Sequence, residues 1–402
     1  MRIALLPDDY LPSSTLVHAK MFHELAHELM RLGHEVVVIT PGLPHQETRL
    51  QKEHFDGVEV WRFRAGTRRG VGKVKRAINE SLLSLCAWIA IKREVKEAPF
   101  DVCVNYSPTI FFGLLASKMR KMYGTYVYLV LRDMFPQWII DQEIIKRDSL
   151  IAKYFRYFEH LNYSASDKIG LMSNANLSYF TSINPQYGNV EVLHNWAKVS
   201  PSQFDELSLD IRKAYNLFGK VIFFYGGNIG HAQDMANIMR LARSLFEQNN
   251  AHFFIVGQGD EFELVDSLIK QWNLSNVTLL PSVSQEQYKE LLTQVDVGLF
   301  SLAKNHSCHN FPGKLLGYML QGLPVLGSVN EGNDLIDYIN ESKAGFIYKN
   351  GEDGEFVRGA LALLNNGSLR KSMGNYSFEL LKKSFSVEQA AKQILCASEC
   401  LK

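Results

Sequence analysis

Short apolar runs alternate with stretches of helical periodicity from one end of the chain to the other, which restricts it to parallel strands joined by crossover helices. Two such series are present. The first opens with a strand at Arg2–Leu6, a helix with an apolar stripe at Val17–Leu32 ended by Gly33, and a strand at Glu35–Thr40. Further strands are expected at Val58–Phe63, Asp101–Asn105, Tyr126–Leu131, Lys168–Met172 and Val190–Leu193. The second series places strands at Lys220–Tyr225, Ala251–Val256, Val277–Leu280, Val295–Phe300, Pro324–Gly327 and Gly345–Tyr348. Between them, the polar stretch Trp196–Asp210, interrupted by Pro201, reads as a linker. A chain of 402 residues also exceeds what one core organises. The expectation is an α/β protein of two Rossmann-like, doubly wound parallel-sheet domains, 1–198 and 199–384, facing an interdomain cleft, with 385–402 a helix returning to the first. Ligands of open α/β sheets sit outside the carboxyl ends of the strands, so function is expected in the strand-to-helix loops.

With 46% hydrophobic and 21% charged residues and no low-complexity tract, disordered and fibrous classes are excluded. Five cysteines, an odd number with two of them inside apolar runs, read as free thiols of a reducing compartment. The opening apolar run ends at Pro7-Asp8-Asp9, too short for an export signal, so a cytoplasmic location is expected. Arg62, Arg64, Arg68, Arg69, Lys73, Lys75 and Arg76 form a run without an acidic residue, followed by the apolar stretch Leu82–Ile91 with Trp88. About ten residues cannot span a bilayer. The pattern suits either peripheral attachment to an anionic membrane face or a core helix flanked by a solvated loop. Aromatic residues hardly interleave with the charges, so no nucleic acid partner is expected.

Three loops could hold a phosphorylated ligand. Gly226-Gly227-Asn228-Ile229-Gly230 follows a strand and precedes a helix, with Gln233 close behind. Such a turn brings backbone N–H groups and a helix dipole to an anion, and it serves equally as a plain tight turn. Gly257-Gln258-Gly259 repeats the pattern, with Asp260 a good N-cap. In Asn310-Phe311-Pro312-Gly313-Lys314-Leu315, Lys314 falls in the first turn of a helix, where its charge opposes the dipole unless an anion is bound. His306, Cys308 and His309 are residue types that ligate zinc, but no fourth ligand of suitable spacing is evident, so no metal site is expected.

Taken in order and spacing, these segments resemble the family-4 retaining glycosyltransferases of GT-B fold over nearly the whole chain. The resemblance also rests on Arg31-Leu32-Gly33-His34-Glu35-Val36, Val192-Leu193-His194-Asn195-Trp196 and Gly322-Leu323-Pro324-Val325. Gly227-Asn228-Ile229-Gly230, Asn195-Trp196 and Pro312-Gly313-Lys314-Leu315 look like the subgroup that builds O-antigen and colanic acid. The resemblance implies a UDP-sugar donor, such as UDP-N-acetylfucosamine, a polyprenyl-diphosphate-linked saccharide acceptor, retention of configuration, and no cofactor or metal, in keeping with the lack of an Asp-x-Asp triplet. It implies attachment to the cytoplasmic face of the membrane. It also places the donor against Gly226, Gly227, Asn228, Gln233, the Gly257–Gly259 loop, and His309 to Gly313 with Leu315.

The chain departs from the family's pattern where two glutamates flank a Gly-Phe-Pro turn, having His309 and Gly317 instead, and Asn228 and Gln233 where cations usually grip the diphosphate. Lys314 restores one charge. Arg132 and Asp133 follow the strand Tyr126–Leu131, Asp133 being the candidate that orients the sugar or acceptor hydroxyl and a buried structural pair being the other reading. Ser13, Ser14, His18 and Asn195 are the remaining candidates on the acceptor side. Two alternatives stay open: a sugar-nucleotide epimerase of similar build, and a degenerate nucleotide-sugar-binding scaffold.

Overall fold

Strands that are apolar at every position must be covered on both faces, and the central runs of this chain obey that rule. The computed structural model describes residues 1–14, 16–42, 46–68, 70–141, 143–204, 206–305, 311 and 313–399. The chain divides into two units, Met1–Lys198 with Val387–Lys402, and Val199–Ser386.

The first unit holds β1 (Arg2–Leu6), β2 (Glu35–Pro41), β3 (Leu50–Phe55), β4 (Val58–Phe63), β5 (Val102–Ser107), β6 (Tyr126–Leu131), β7 (Lys168–Leu171) and β8 (Val190–Val192). They lie in the order β3-β4-β2-β1-β5-β6-β7-β8. All neighbours are parallel except β3 and β4. Every residue of β5 and β6 is buried, as helices on both faces require. The helices Val17–Arg31 and Val387–Glu399 cover one face, where Phe22, Leu25, Ala391 and Ile394 share a core with Ile3 and Val104. The closing helix is fixed by Val387 N–H donating to Ala197 O at 3.0 Å and Gln393 Nε2 donating to Val192 O at 2.7 Å.

On the other face, the helix Leu83–Glu97 buries Leu83, Ala87, Trp88, Ile91 and Val95 against Phe112, Leu115 and Met119. This corrects the reading of Trp88 as a membrane anchor: its ring is 9% exposed and takes the Lys118 ammonium 4.9 Å from its centroid. Arg62 also leaves the basic surface. Its side chain is buried, pairs with Glu53 at 2.5 Å and donates to Leu11 O. Arg68 donates to Asp8 O, and Arg69 lies outside the described residues. Lys73, Lys75 and Arg76 do remain exposed, on a helix, Lys73–Ser81, that buries none of its residues.

The second unit is an all-parallel sheet of β9 (Val221–Asn228), β10 (Ala251–Gln258), β11 (Val277–Leu280), β12 (Val297–Ser301), β13 (Val325–Val329) and β14 (Gly345–Lys349), ordered β11-β10-β9-β12-β13-β14. Chain order reverses at β1/β5 in one sheet and at β9/β12 in the other, the points where open sheets of this kind leave room for ligands. Among the described residues no helix is long and apolar enough to cross a membrane, and Cys86, Cys103 and Cys396 are free.

Candidate functional site

At the β9/β12 switch point the two glycine segments prove to be the last rungs of a β-ladder, Gly227 opposite Gly257 and Asn228 opposite Gln258. Their glycines are set by closeness of backbone to backbone. A Cβ on Gly257 would fall 1.9 Å from Gly227 O, and one on Gly259 would fall 2.2 Å from Ile229 O. Gly227 itself has φ 128°, a conformation that L side chains rarely adopt.

The helix that follows the first glycine segment begins at Met235, after His231–Asp234 as expected, with a short turn at His231–Gln233. Its end is already supplied with an internal anion: Met235 N–H donates to Glu261 Oε2 at 3.0 Å, while His231 Nδ1 lies 2.9 Å from Glu261 Oε1. The Glu261 hydrogen bond and the Asp260 charge raise the His231 pKa. Gly226 N–H is likewise taken, by the Tyr318 hydroxyl at 3.2 Å. Two of the N–H groups expected to be open to a diphosphate, those of Met235 and Gly226, thus already have internal acceptors. Asn228 Nδ2 donates to Gln233 Oε1 at 2.7 Å, and Gln258 Oε1 accepts from Ser282 Oγ at 2.9 Å.

The cation at this switch point is Lys314, the first residue of the helix Lys314–Leu320. Its stem is partly exposed, but its ammonium is sealed, 3.6 Å from the Tyr225 ring centroid and beside the face that Gly227 leaves bare. No hydrogen-bond acceptor for Nζ occurs among the described residues. Desolvation brings its pKa down to about 7. A ring face returns about 2 kcal/mol to a desolvated cation, less than the several kcal/mol per ion that burial costs, so an anion at this place would be strongly favoured.

Neighbours named from the sequence divide into two groups. Gly313 is exposed, whereas Leu315 is fully buried and Phe311 packs on Phe385 with ring centroids 4.6 Å apart, so neither of those two side chains is free to meet a ligand. His309, Asn310 and Pro312, with His306 and Cys308, lie outside the described residues. Gly317 faces Leu292, whose Cδ1 would be 3.2 Å from a Cβ there.

In the first unit, the β1/β5 switch point is occupied by His18, stacked on Tyr106 at 4.8 Å with its Nε2 3.1 Å from Asp8 Oδ1. Burial alone would raise the Asp8 pKa, but His18 and the Arg68 charge bring it below the usual value. Ser14 Oγ accepts from Leu16 N–H, and Ser13 Oγ donates to Tyr10 O, so both serve the loop itself. Next to this, Arg132 does not close an ion pair with Asp133. Its guanidinium is buried over the Trp196 ring, with Nη2 donating to His194 O at 3.0 Å and with Nε and Nη1 unpartnered among the described residues. Burial lowers its pKa to about 10. Asp133 has an exposed side chain, yet desolvation raises its pKa against the pull of Arg132. Asn195 Nδ2 donates to Met172 Sδ at 3.3 Å.

Two family descriptions match, one for each unit: residues 18–196 match "Glycosyl transferase 4-like domain" and 209–380 match "Glycosyl transferases group 1". Only the segment between 197 and 208 separates the two matches. The chain belongs to the GT-B glycosyltransferases of the family-4 class.

A relative from Escherichia coli strain K12, WcaI, named as a colanic acid biosynthesis glycosyl transferase, is 23% identical over 80% of this glycosyltransferase and 82% of its own length. Among solved structures, sucrose-phosphate synthase from Thermosynechococcus elongatus superposes with a TM-score of 0.72 at 14% identity, covering 100% of this chain and 98% of that one. HepE of Anabaena, solved in complex with UDP-glucose, gives 0.67 at 13% identity over 100% of both chains. These structures share the fold. What sequence reading missed in the glycosyltransferase are Tyr225, which lies under Lys314, and Glu261, which satisfies the Met235 helix end. Tyr225 directly precedes the glycine pair, but nothing in the sequence reports a contact made across about ninety residues.

Proposed function

We propose that this glycosyltransferase moves a sugar from a nucleoside diphosphate to a saccharide carried on a polyprenyl diphosphate, with retention and without a metal. The observation that carries the reading is the Lys314 ammonium, enclosed and without an acceptor among the described residues at the β9/β12 switch point. A diphosphate there supplies the missing acceptor, and the ammonium in turn stabilises the charge that grows on the leaving phosphate. Support for UDP comes from HepE, solved with UDP-glucose, and support for an acceptor in surface-polysaccharide assembly comes from the name of WcaI. An N-acetylated deoxyhexosamine such as N-acetylfucosamine is the donor sugar of this reading. Asp133 orients the acceptor hydroxyl, and Arg132, whose Nε and Nη1 have no partner among the described residues, receives an anionic or carbonyl group of the acceptor.

Membrane attachment in this proposal is carried by side chains other than Trp88. Val74, Ile78, Leu82 and Leu85 are 75%, 55%, 43% and 52% exposed, close to Lys73, Lys75 and Arg76, which makes a basic and apolar surface fit for an anionic leaflet.

The test is a coupled assay of UDP release from UDP-sugars with and without a lipid-linked acceptor. Sustained release that needs the acceptor is expected. Conversion of the donor without acceptor would indicate an epimerase, and binding without turnover would indicate a scaffold, a reading favoured by Gly317 in place of a carboxylate.

A further inference from the structure

The helix Val17–Arg31 carries His23 and His27 one turn apart, so both imidazoles leave the same face. That face meets the tip of the β3–β4 hairpin, where Asp56 and Gly57 have φ 49° and 80°. Positive φ at both central residues is the turn that suits the twist of a tight hairpin, and it fixes where the Asp56 carboxylate points. His23 Nε2 lies 3.3 Å from Asp56 Oδ2, His27 Nε2 lies 3.3 Å from the same oxygen, and the two nitrogens are 3.2 Å apart.

Those three distances form a nearly equilateral triangle. Ligands held at about 2.0–2.1 Å around a tetrahedral zinc ion are separated by about 1.63 times that length, roughly 3.3 Å. The triangle thus has the edge of a tetrahedral face before any ion is placed on it. Two Nε2–H groups donating to Asp56 would account for two of the edges, but they would set two protonated nitrogens 3.2 Å apart with no bond between them.

The surroundings fit a ligand role. The other nitrogen of His23, Nδ1, is 2.8 Å from the hydroxyl of Tyr10, a fully buried residue. When that nitrogen carries the proton and donates it to Tyr10, Nε2 is left with its lone pair facing His27 and Asp56, the orienting arrangement usual around metal-bound histidine. Phe55 packs its ring 5.4 Å from that of His23 and closes one side. Asp56 is exposed and His27 is half-buried, so the fourth position opens to solvent.

We infer that His23, His27 and Asp56 form a site for a borderline divalent cation of the zinc class, with water as fourth ligand, which ties the helix Val17–Arg31 to the β3–β4 edge hairpin. Two imidazoles and one carboxylate suit zinc, cobalt or nickel and disfavour magnesium and calcium, which take oxygen ligands. The site is separate from the sugar-transfer reaction and requires nothing of its mechanism.

The test uses the full chain freed of metal with a chelator. Titration calorimetry with zinc chloride is expected to show one equivalent bound, and cobalt(II) should give the visible spectrum of a four-coordinate ion without a thiolate charge-transfer band. His27→Ala and Asp56→Ala, the first at a half-buried and the second at an exposed position, are expected to lower zinc affinity by at least about 100-fold while the circular dichroism spectrum is kept. Tyr10→Phe should lower it by about 10–100-fold, as loss of an orienting partner does. The inference is overturned if the wild-type chain takes up no zinc, if both alanine variants bind as tightly as wild type, or if a thiolate band places cobalt on a cysteine such as Cys308.

Discussion

The Lys314 ammonium lies 3.6 Å from the centroid of the Tyr225 ring, with no hydrogen-bond acceptor among the described residues. An unsatisfied cation of this kind weakens the protein without ligand and strengthens its hold on an anion. Both effects can be measured.

The first is a dependence of stability on pH. Folded Lys314 titrates at about 7, against 10.5 for the ordinary group. Between those values the unfolded chain binds the extra proton, so stability rises with pH across the window, and the penalty is fully present below about 7. Melting temperatures of the ligand-free protein from pH 7 to 10 should show this rise, and Lys314→Met should flatten it. Equal slopes for both proteins would contradict a buried ammonium.

Asp133 is expected to act on the chemical step. Asp133→Asn should reduce kcat by about 10²-fold, the cost of a misplaced reacting group, and leave UDP affinity within about twofold of wild type. A change confined to UDP affinity would move Asp133 out of the role proposed for it.

Gly257 is held by backbone on backbone, since a Cβ there would meet Gly227 O at 1.9 Å. Gly257→Ala should cost about 1–3 kcal/mol or more, as forced overpacking does, read by urea unfolding. Unchanged stability would mean that β9 and β10 can separate there freely.

Membrane contact separates two sets of residues. Val74→Asp with Ile78→Asp should abolish cosedimentation with phosphatidylserine-containing vesicles and leave the melting temperature within about 2 °C, because both side chains are exposed. Trp88→Ala should instead cost about 3–5 kcal/mol of stability, the cost of emptying a core site. Vesicle binding that survives the double aspartate variant would contradict the proposed surface.

Much of this architecture was legible because central strands must be apolar on both faces. Tyr126–Leu131 is such a strand and has the boundaries its apolar run predicts; Val58–Phe63 and the edge strand Val277–Leu280 match their expected boundaries too, though neither is buried at every position. The edge strand β3, Leu-Gln-Lys-Glu-His-Phe, escaped, since one covered face and polar residues give no such run. Its signal was the Asp56-Gly57 pair, the usual chemistry of a two-residue hairpin. At the site, the importance of Lys314 could be argued from a charge placed against a helix dipole. Its true setting could not, because the side chain turns under the ring of a distant strand. Trp88 is open to two readings in the sequence for a related reason: a basic run followed by an apolar helix looks the same whichever face of that helix is buried.

The proposal for donor binding is tested most directly by calorimetric titration of UDP at pH 8 into wild type and Lys314→Ala, each in HEPES and in Tris. Binding to wild type should draw a proton from the buffer, because the diphosphate restores the charge on a lysine that titrates at about 7. The variant should bind about 10–100-fold more weakly, the worth of one hydrogen bond to a charged group, and without proton uptake. Equal affinities, or heats that do not depend on the buffer in either protein, would contradict a diphosphate held by Lys314.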